Sequence, residues 1–155
     1  MLIRTTAPSV MLGIALAAAG SSRAQAPLDE RLAKASYLTC EFTTMAVGNW
    51  GAAGAAVETK PAKLSLGFRD VNADEGSARV IGPFGPADII VRLTSGALHF
   101  VQSFSDGPMY ATTIFPSESR GKLKAVHTRH EYTQVSLPGY TSRPEQYYGE
   151  CAIVN

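Results

Sequence analysis

The sequence predicts an all-β domain: one antiparallel unit of about eight strands, with a small closed barrel favoured over a two-sheet sandwich. Three observations carry this. Apolar residues recur with period two, not 3.6, from residue 37 onward. Short clusters of Gly, Pro, Asn, Asp and Ser punctuate the alternating runs. Two cysteines, Cys40 and Cys151, stand near the two ends of the β region.

Taken in order, residues 28–35 (LDERLAKA) suit one or two helical turns. Residues 37–47 are rich in Thr, Phe and Val and read as the first strand. In residues 63–71, Leu64, Leu66 and Phe68 alternate with Lys63, Ser65, Gly67 and Arg69, the pattern of a half-buried strand. Residues 77–81, 88–93, 97–104, 110–115, 123–132 and 146–154 complete the set. Asn72 to Gly76, Gly82-Pro83-Phe84-Gly85-Pro86, Thr94-Ser95-Gly96 and Ser105-Asp106-Gly107-Pro108 supply tight connections. Residues 117–121 and 137–144 join the last strands. Residues 48–61, rich in Gly and Ala, read as the longest irregular stretch. Short connections imply antiparallel neighbours, and no repeat or linker divides the domain.

The first residues are expected to form a cleaved signal peptide. Residues 1–26 carry a basic start at Arg4, an uncharged apolar run over 10–20, and Ala24-Gln25-Ala26 as a cleavage site. The run is too short to span a bilayer, which takes about 20 apolar residues. Cleavage after Ala26 leaves Pro27 as the new N-terminus, so cleavage after Ala24 is an alternative. The expected mature domain is residues 27–155. Its 129 residues hold 12 basic and 13 acidic side chains, because Arg4 and Arg23 leave with the leader. That balance excludes a nucleic-acid binder, which needs basic excess against phosphates. With hydrophobic residues at 45%, it also excludes a disordered chain. No second apolar run of spanning length follows. The expected location is the periplasm or the exterior.

In an oxidising compartment two cysteines pair. A Cys40–Cys151 bridge ties the first strand to the last, and chain-entropy models give so long a loop about 4–5 kcal/mol. An even number of strands lets first and last pair antiparallel, and closure removes exposed edges. Disulfides also cross between sheets, so a sandwich stays open as the alternative.

The most polar strand is KLKAVHTRHEY, residues 122–132. His127 and His130 point to opposite faces because their separation is odd. His127 shares a side with Arg129 and Glu131. One of these faces is a candidate ligand-binding surface; the plainer alternative is a solvated strand with a hydrogen-bonded histidine. Tyr147 and Tyr148 likewise face opposite ways, and Tyr147 shares a face with Cys151, with Gly149 between them. Trp50, the only tryptophan, sits on glycine-rich chain and is a candidate contact for a ligand or partner. The set is therefore His127, Arg129, His130, Tyr147, Tyr148 and Trp50. Asp70 to Gly76 is calcium-like in composition, but its glycine is one place late and its twelfth position is Ile81. A turn is the better reading. His99, His127 and His130 lack metal-ligand spacing. There is no GxSxG, no HExxH and no phosphate loop, and neither cofactor nor metal is expected.

The segments Thr39-Cys40-Glu41-Phe42, Thr112-Thr113-Ile114-Phe115, Ala125-Val126-His127-Thr128-Arg129-His130 and Glu145-Gln146-Tyr147-Tyr148-Gly149-Glu150-Cys151 resemble a family of small uncharacterised exported bacterial proteins. The resemblance covers most of the mature chain. It implies export and a common β fold, and it brings no activity. The expected function is thus binding, of a small molecule or an envelope protein. The alternatives are a small exported enzyme with His130 as general acid or base, and an envelope inhibitor or assembly factor.

Overall fold

A computed structural model describes residues 25–105, 107–132 and 143–154. The leader expected over 1–26 therefore lies outside the described residues except for its last two. One helix, α1 (Gln25–Ala33), precedes eight strands: β1 (Leu38–Gly51), β2 (Gly54–Asn72), β3 (Ser77–Gly82), β4 (Gly85–Thr94), β5 (Ala97–Ser103), β6 (Met109–Ser119), β7 (Lys122–His130) and β8 (Glu145–Ile153). Each strand pairs antiparallel with the next, and β8 pairs back with β1, so the sheet closes on itself. All eight expected strands are present.

Alternation places one side of every strand inward. Leu64, Leu66 and Phe68 from β2, Val91 from β4, Leu98 and Phe100 from β5 and Ile114 from β6 form the core. Phe68 and Phe100 stack across it at 4.1 Å between ring centroids. The outward side carries Glu41, Arg79, Asp88, Lys124 and Glu150, of which Glu41 accepts a 2.6 Å hydrogen bond from Ser65. A barrel that meets lipid has the opposite arrangement, an apolar outer band. Among the described residues no helix is long and apolar enough to cross a membrane.

Helix α1 closes one end. Leu28 and Leu32, spaced i and i+4, lie on one face of it and join the core, as does Ala35 just past its end. Arg31 reaches Glu118 at 3.3 Å, an exposed pair that orients the helix more than it stabilises the fold. Gly96, at φ 77°, passes beneath the helix; a Cβ there would lie 2.7 Å from the Asp29 carboxylate.

The seam between β1 and β8 is the closing contact. Cys40 lies directly opposite Cys151, and the two form a disulfide whose half-cystines are both buried. Beyond Phe42 the register shifts. Phe42 pairs with Gly149 and Thr44 with Tyr148, so β1 carries an extra residue. This bulge resets the alternation, and Phe42 and Met45 both face inward although their separation is odd. The bent β1 backbone crosses close over Gly149. A Cβ there would overlap the Glu41 carbonyl and lie 2.6 Å from the Phe42 Cα. Glycine is required here for close approach of two backbones.

One expectation needs correction. Residues 48–61 are not an irregular loop. They continue the ladder of β1 and β2 from Val47–Glu58 to Gly51–Gly54 as an extended hairpin. Gly and Ala offer no alternation to read, and the strand state here follows from pairing with a neighbouring strand already in register.

Gly149→Ala is expected to lower stability by about 1–3 kcal/mol, because the added methyl has only backbone to displace. Urea unfolding of the disulfide-bonded protein measures this. A loss no larger than that of an exposed Gly→Ala control would show that the β1 bulge does not press on β8.

Candidate functional site

The end of the barrel opposite α1 is polar inside. On β7, Leu123, Ala125, His127 and Arg129 face inward in turn. On β8, Tyr147 and Glu145 occupy the same level, and on β6 Thr112 and Tyr110 do. The register brings them side by side: Thr112 opposite His127, Tyr110 opposite Arg129, and Arg129 opposite Glu145.

Arg129 is the centre of this cluster. Its guanidinium lies 5.2 Å from the Tyr110 ring centroid and 5.1 Å from that of Tyr147, a two-sided cation–π contact. Its Nη1 is 3.9 Å from the Glu145 carboxylate, with both side chains largely buried. Its Nε–H donates to His127 Nε2 at 3.4 Å. That bond makes Nε2 the acceptor and leaves the proton on Nδ1, which donates to Thr112 Oγ1 at 2.8 Å. The Tyr110 hydroxyl donates to Glu131 at 3.1 Å, and the Tyr147 hydroxyl donates to Glu145.

The electrostatics follow from burial. His127 is 4% exposed, and desolvation, aided by the Arg129 charge, lowers its pKa to about 3. Desolvation and the Glu131 carboxylate raise Tyr110 to about 12. Tyr147 is raised as well, by desolvation first and then by its bond to Glu145. At neutral pH each of these three groups holds a single protonation state. The cluster ties β6, β7 and β8 together by directed bonds.

A cavity bordered by Phe68, Phe100, Gln102 and Thr112 has about 10 Å³ of space, room for about one water.

Of the six residues expected at a site, His127, Arg129 and Tyr147 converge here. The other three do not. His130 is exposed on the outer side of β7, opposite Met109. No carboxylate or nucleophile is within hydrogen-bonding reach of it among the described residues. Tyr148 also faces outward, its hydroxyl donating to Gln146 at 2.8 Å. Trp50 stands on the hairpin, 56% exposed. Tyr110, Thr112, Glu131 and Glu145 complete the inner cluster; only Glu131 had been placed on the His127 side by parity.

Trp50 is not isolated. Its ring meets Tyr132 edge-on, with centroids 5.6 Å apart. The Arg143 guanidinium lies 5.8 Å from the Tyr132 centroid and donates to Asn49 Oδ1 at 2.6 Å. Tyr132 is 57% exposed. Two segments distant in sequence thus hold two aromatic rings and a cation together at the surface.

The Asp70 to Gly76 segment is a turn, in which Asn72 Oδ1 accepts the Glu75 N–H at 3.1 Å. Among the described residues no group of three or more His, Cys, Asp or Glu side chains is placed to hold a metal ion. Comparison with protein-family models, characterised proteins and solved structures gave no match.

The buried histidine makes stability pH-dependent. The unfolded chain takes up this proton near pH 6.5, whereas the folded chain resists it until about 3. Stability from this group is full above pH 6.5 and falls as the pH drops through that window, by up to about 1.4 kcal/mol per pH unit. His127→Gln is expected to flatten that part of the profile. Urea unfolding at pH values between 7 and 4 reads it, and an unchanged slope in the variant would assign the pH dependence to other groups.

Proposed function

We propose that this chain is an exported, disulfide-bonded β-barrel that acts as a binding protein, meeting a protein partner through the aromatic face around Trp50. The leader features of residues 1–26, the bridged cysteines and the resemblance to exported proteins support the periplasm or exterior as its place.

The observation that carries the binding reading is the exposed Trp50–Tyr132–Arg143 cluster. Trp, Tyr and Arg dominate the energetics of protein interfaces. A large aromatic pair left more than half exposed leaves apolar area for a partner to cover. The hairpin also presents this face well clear of the barrel wall. β1 runs four residues past Val47, its last pairing with β8, which is about 13 Å at strand rise.

A ligand held inside the barrel draws no support from the cavity beside Phe68 and Thr112, which has room for about one water. Catalysis through His130 draws none from its exposed position. Inhibition or assembly of an envelope protein is the kind of role a protein-binding face serves.

A photoreactive residue at Ala53, beside the aromatic face, tests this in the envelope of the producing cells, with Arg120 at the opposite end of the barrel as control. The expected result is one dominant protein adduct from position 53 and none from 120. Trp50→Ala in the same chain is expected to weaken that adduct roughly tenfold or more. Identical adducts from both ends, or none at 53, would count against the reading.

A further inference from the structure

Beyond the barrel wall, the β1–β2 hairpin has two edges in different states. The β1 edge is covered: Gly48 N–H donates to the Pro144 carbonyl at 2.8 Å, and Trp50 N–H to Asn49 Oδ1 at 2.9 Å. The β2 edge has no neighbouring strand among the described residues from Gly54 to Leu66, because pairing with β3 starts at Gly67.

The backbone direction on the free edge follows from the covered one. Gly48 and Trp50 point their N–H groups away from β2. Their opposite residues are Val57 and Ala55, so these pairs are of the non-hydrogen-bonded kind. Val57 and Ala55 must then point N–H and C=O off the β2 edge. Thr59 and Pro61, two and four places along the same strand from Val57, share that direction. Pro61 agrees with this, since a strand proline belongs where its missing N–H is not needed by the ladder.

The residues along this edge read Val57-Glu58-Thr59-Lys60-Pro61. That order is self-complementary in charge about Thr59. We propose that two copies of this chain pair antiparallel through this edge, about a two-fold axis at Thr59. Thr59 then lies opposite Thr59 of the second copy and exchanges both backbone hydrogen bonds with it. Each Val57 N–H reaches the Pro61 carbonyl of the other copy, so the proline takes only the acceptor role open to it. Each Glu58 lies opposite Lys60 of the second copy, in the closer, non-hydrogen-bonded type of pair, where opposite charges attract best.

Other registers of the same backbone parity serve the charges less well: centred on Glu58 or Lys60 they set a like charge directly opposite itself, and centred on Val57 they set Glu58 diagonal to Glu58 of the second copy and leave Lys60 facing Gly54, so charge selects the Thr59 register. Proline and charge on an edge discourage indiscriminate strand addition; this arrangement leaves one partner well matched. The two-fold operation consumes both edges and closes the assembly as a dimer. The proposal is independent of the Trp50 face, which borders the β1 edge.

Edge pairing of this length is a small interface, so the dimer is weak. Sedimentation of the disulfide-bonded protein purified from its producing cells, from about 5 to about 500 µM, is expected to show a monomer–dimer equilibrium. Glu58→Lys and Lys60→Glu are each expected to weaken it roughly tenfold or more by placing like charges opposite. An equimolar mixture of the two variants is expected to recover association, because an edge with two lysines then faces an edge with two glutamates. Thr59→Pro removes an N–H that has no partner among the described residues, so it is expected to abolish the dimer while leaving the thermal midpoint and circular dichroism of the monomer in place. A monomer at every concentration would overturn the proposal and leave the edge to a foreign strand. A dimer insensitive to charge reversal, or variants that fail to associate when mixed, would also overturn it.

Discussion

Everything inside this protein depends on the pairing of its first strand with its last. Eight strands joined in sequence form a ribbon with two unsatisfied edges, and only the β1–β8 contact removes them over the height of the barrel wall. The contact spans almost the whole domain: the bridged cysteines are 111 positions apart. Closing so long a loop costs chain entropy before any ladder bond forms. Three local features answer that cost at one place. The disulfide restricts the unfolded chain, the β1 bulge turns both Phe42 and Met45 inward, and Gly149 lets the bent backbone pass over β8.

Closure also explains the polar cluster. Once β6, β7 and β8 curve round, the inward positions of their upper halves face one another at short range. Arg129 is buried there and is satisfied from every side by Glu145, His127 and two aromatic faces. A buried cation without such partners would be costly, and with them it acts as a directional clasp. The proposed contact with other molecules lies outside the ring, on the hairpin that overruns it. That hairpin offers two surfaces, an aromatic face on one side and an unpaired strand edge on the other.

Much of this was legible in the sequence. Alternation and turn residues marked all eight strands, and parity put Tyr147 with Cys151, and Arg129 with His127. What parity does not reveal is which face turns inward. For that reason His127 and His130, and likewise Tyr147 and Tyr148, stood as equal candidates, although only the first of each pair is inside. Tyr110 and Thr112 were missed because nothing in the sequence of β6 marked its inward face, and the two-residue register shift between Ile114 and Glu118 changes their partners but not their face. Counting back from the Ser119–Lys122 turn sets Tyr110 opposite Glu131, whereas the shift sets it opposite Arg129. Glu145 was hidden by the long connection before β8, which gives no register to count from. The hairpin was obscured for a different reason. Its Gly and Ala residues are extended through their neighbours, not through any preference of their own.

The central claim is that the β1–β8 seam is a full member of the sheet and not two edges held together by a disulfide. Amide hydrogen exchange on the oxidised protein tests this most directly. The account predicts that seam amides in β1 and β8 exchange only through global unfolding, with the same protection as those of β4 and β5. Seam amides that exchange by local opening, far faster than those of β4 and β5 while the disulfide is intact, would contradict it.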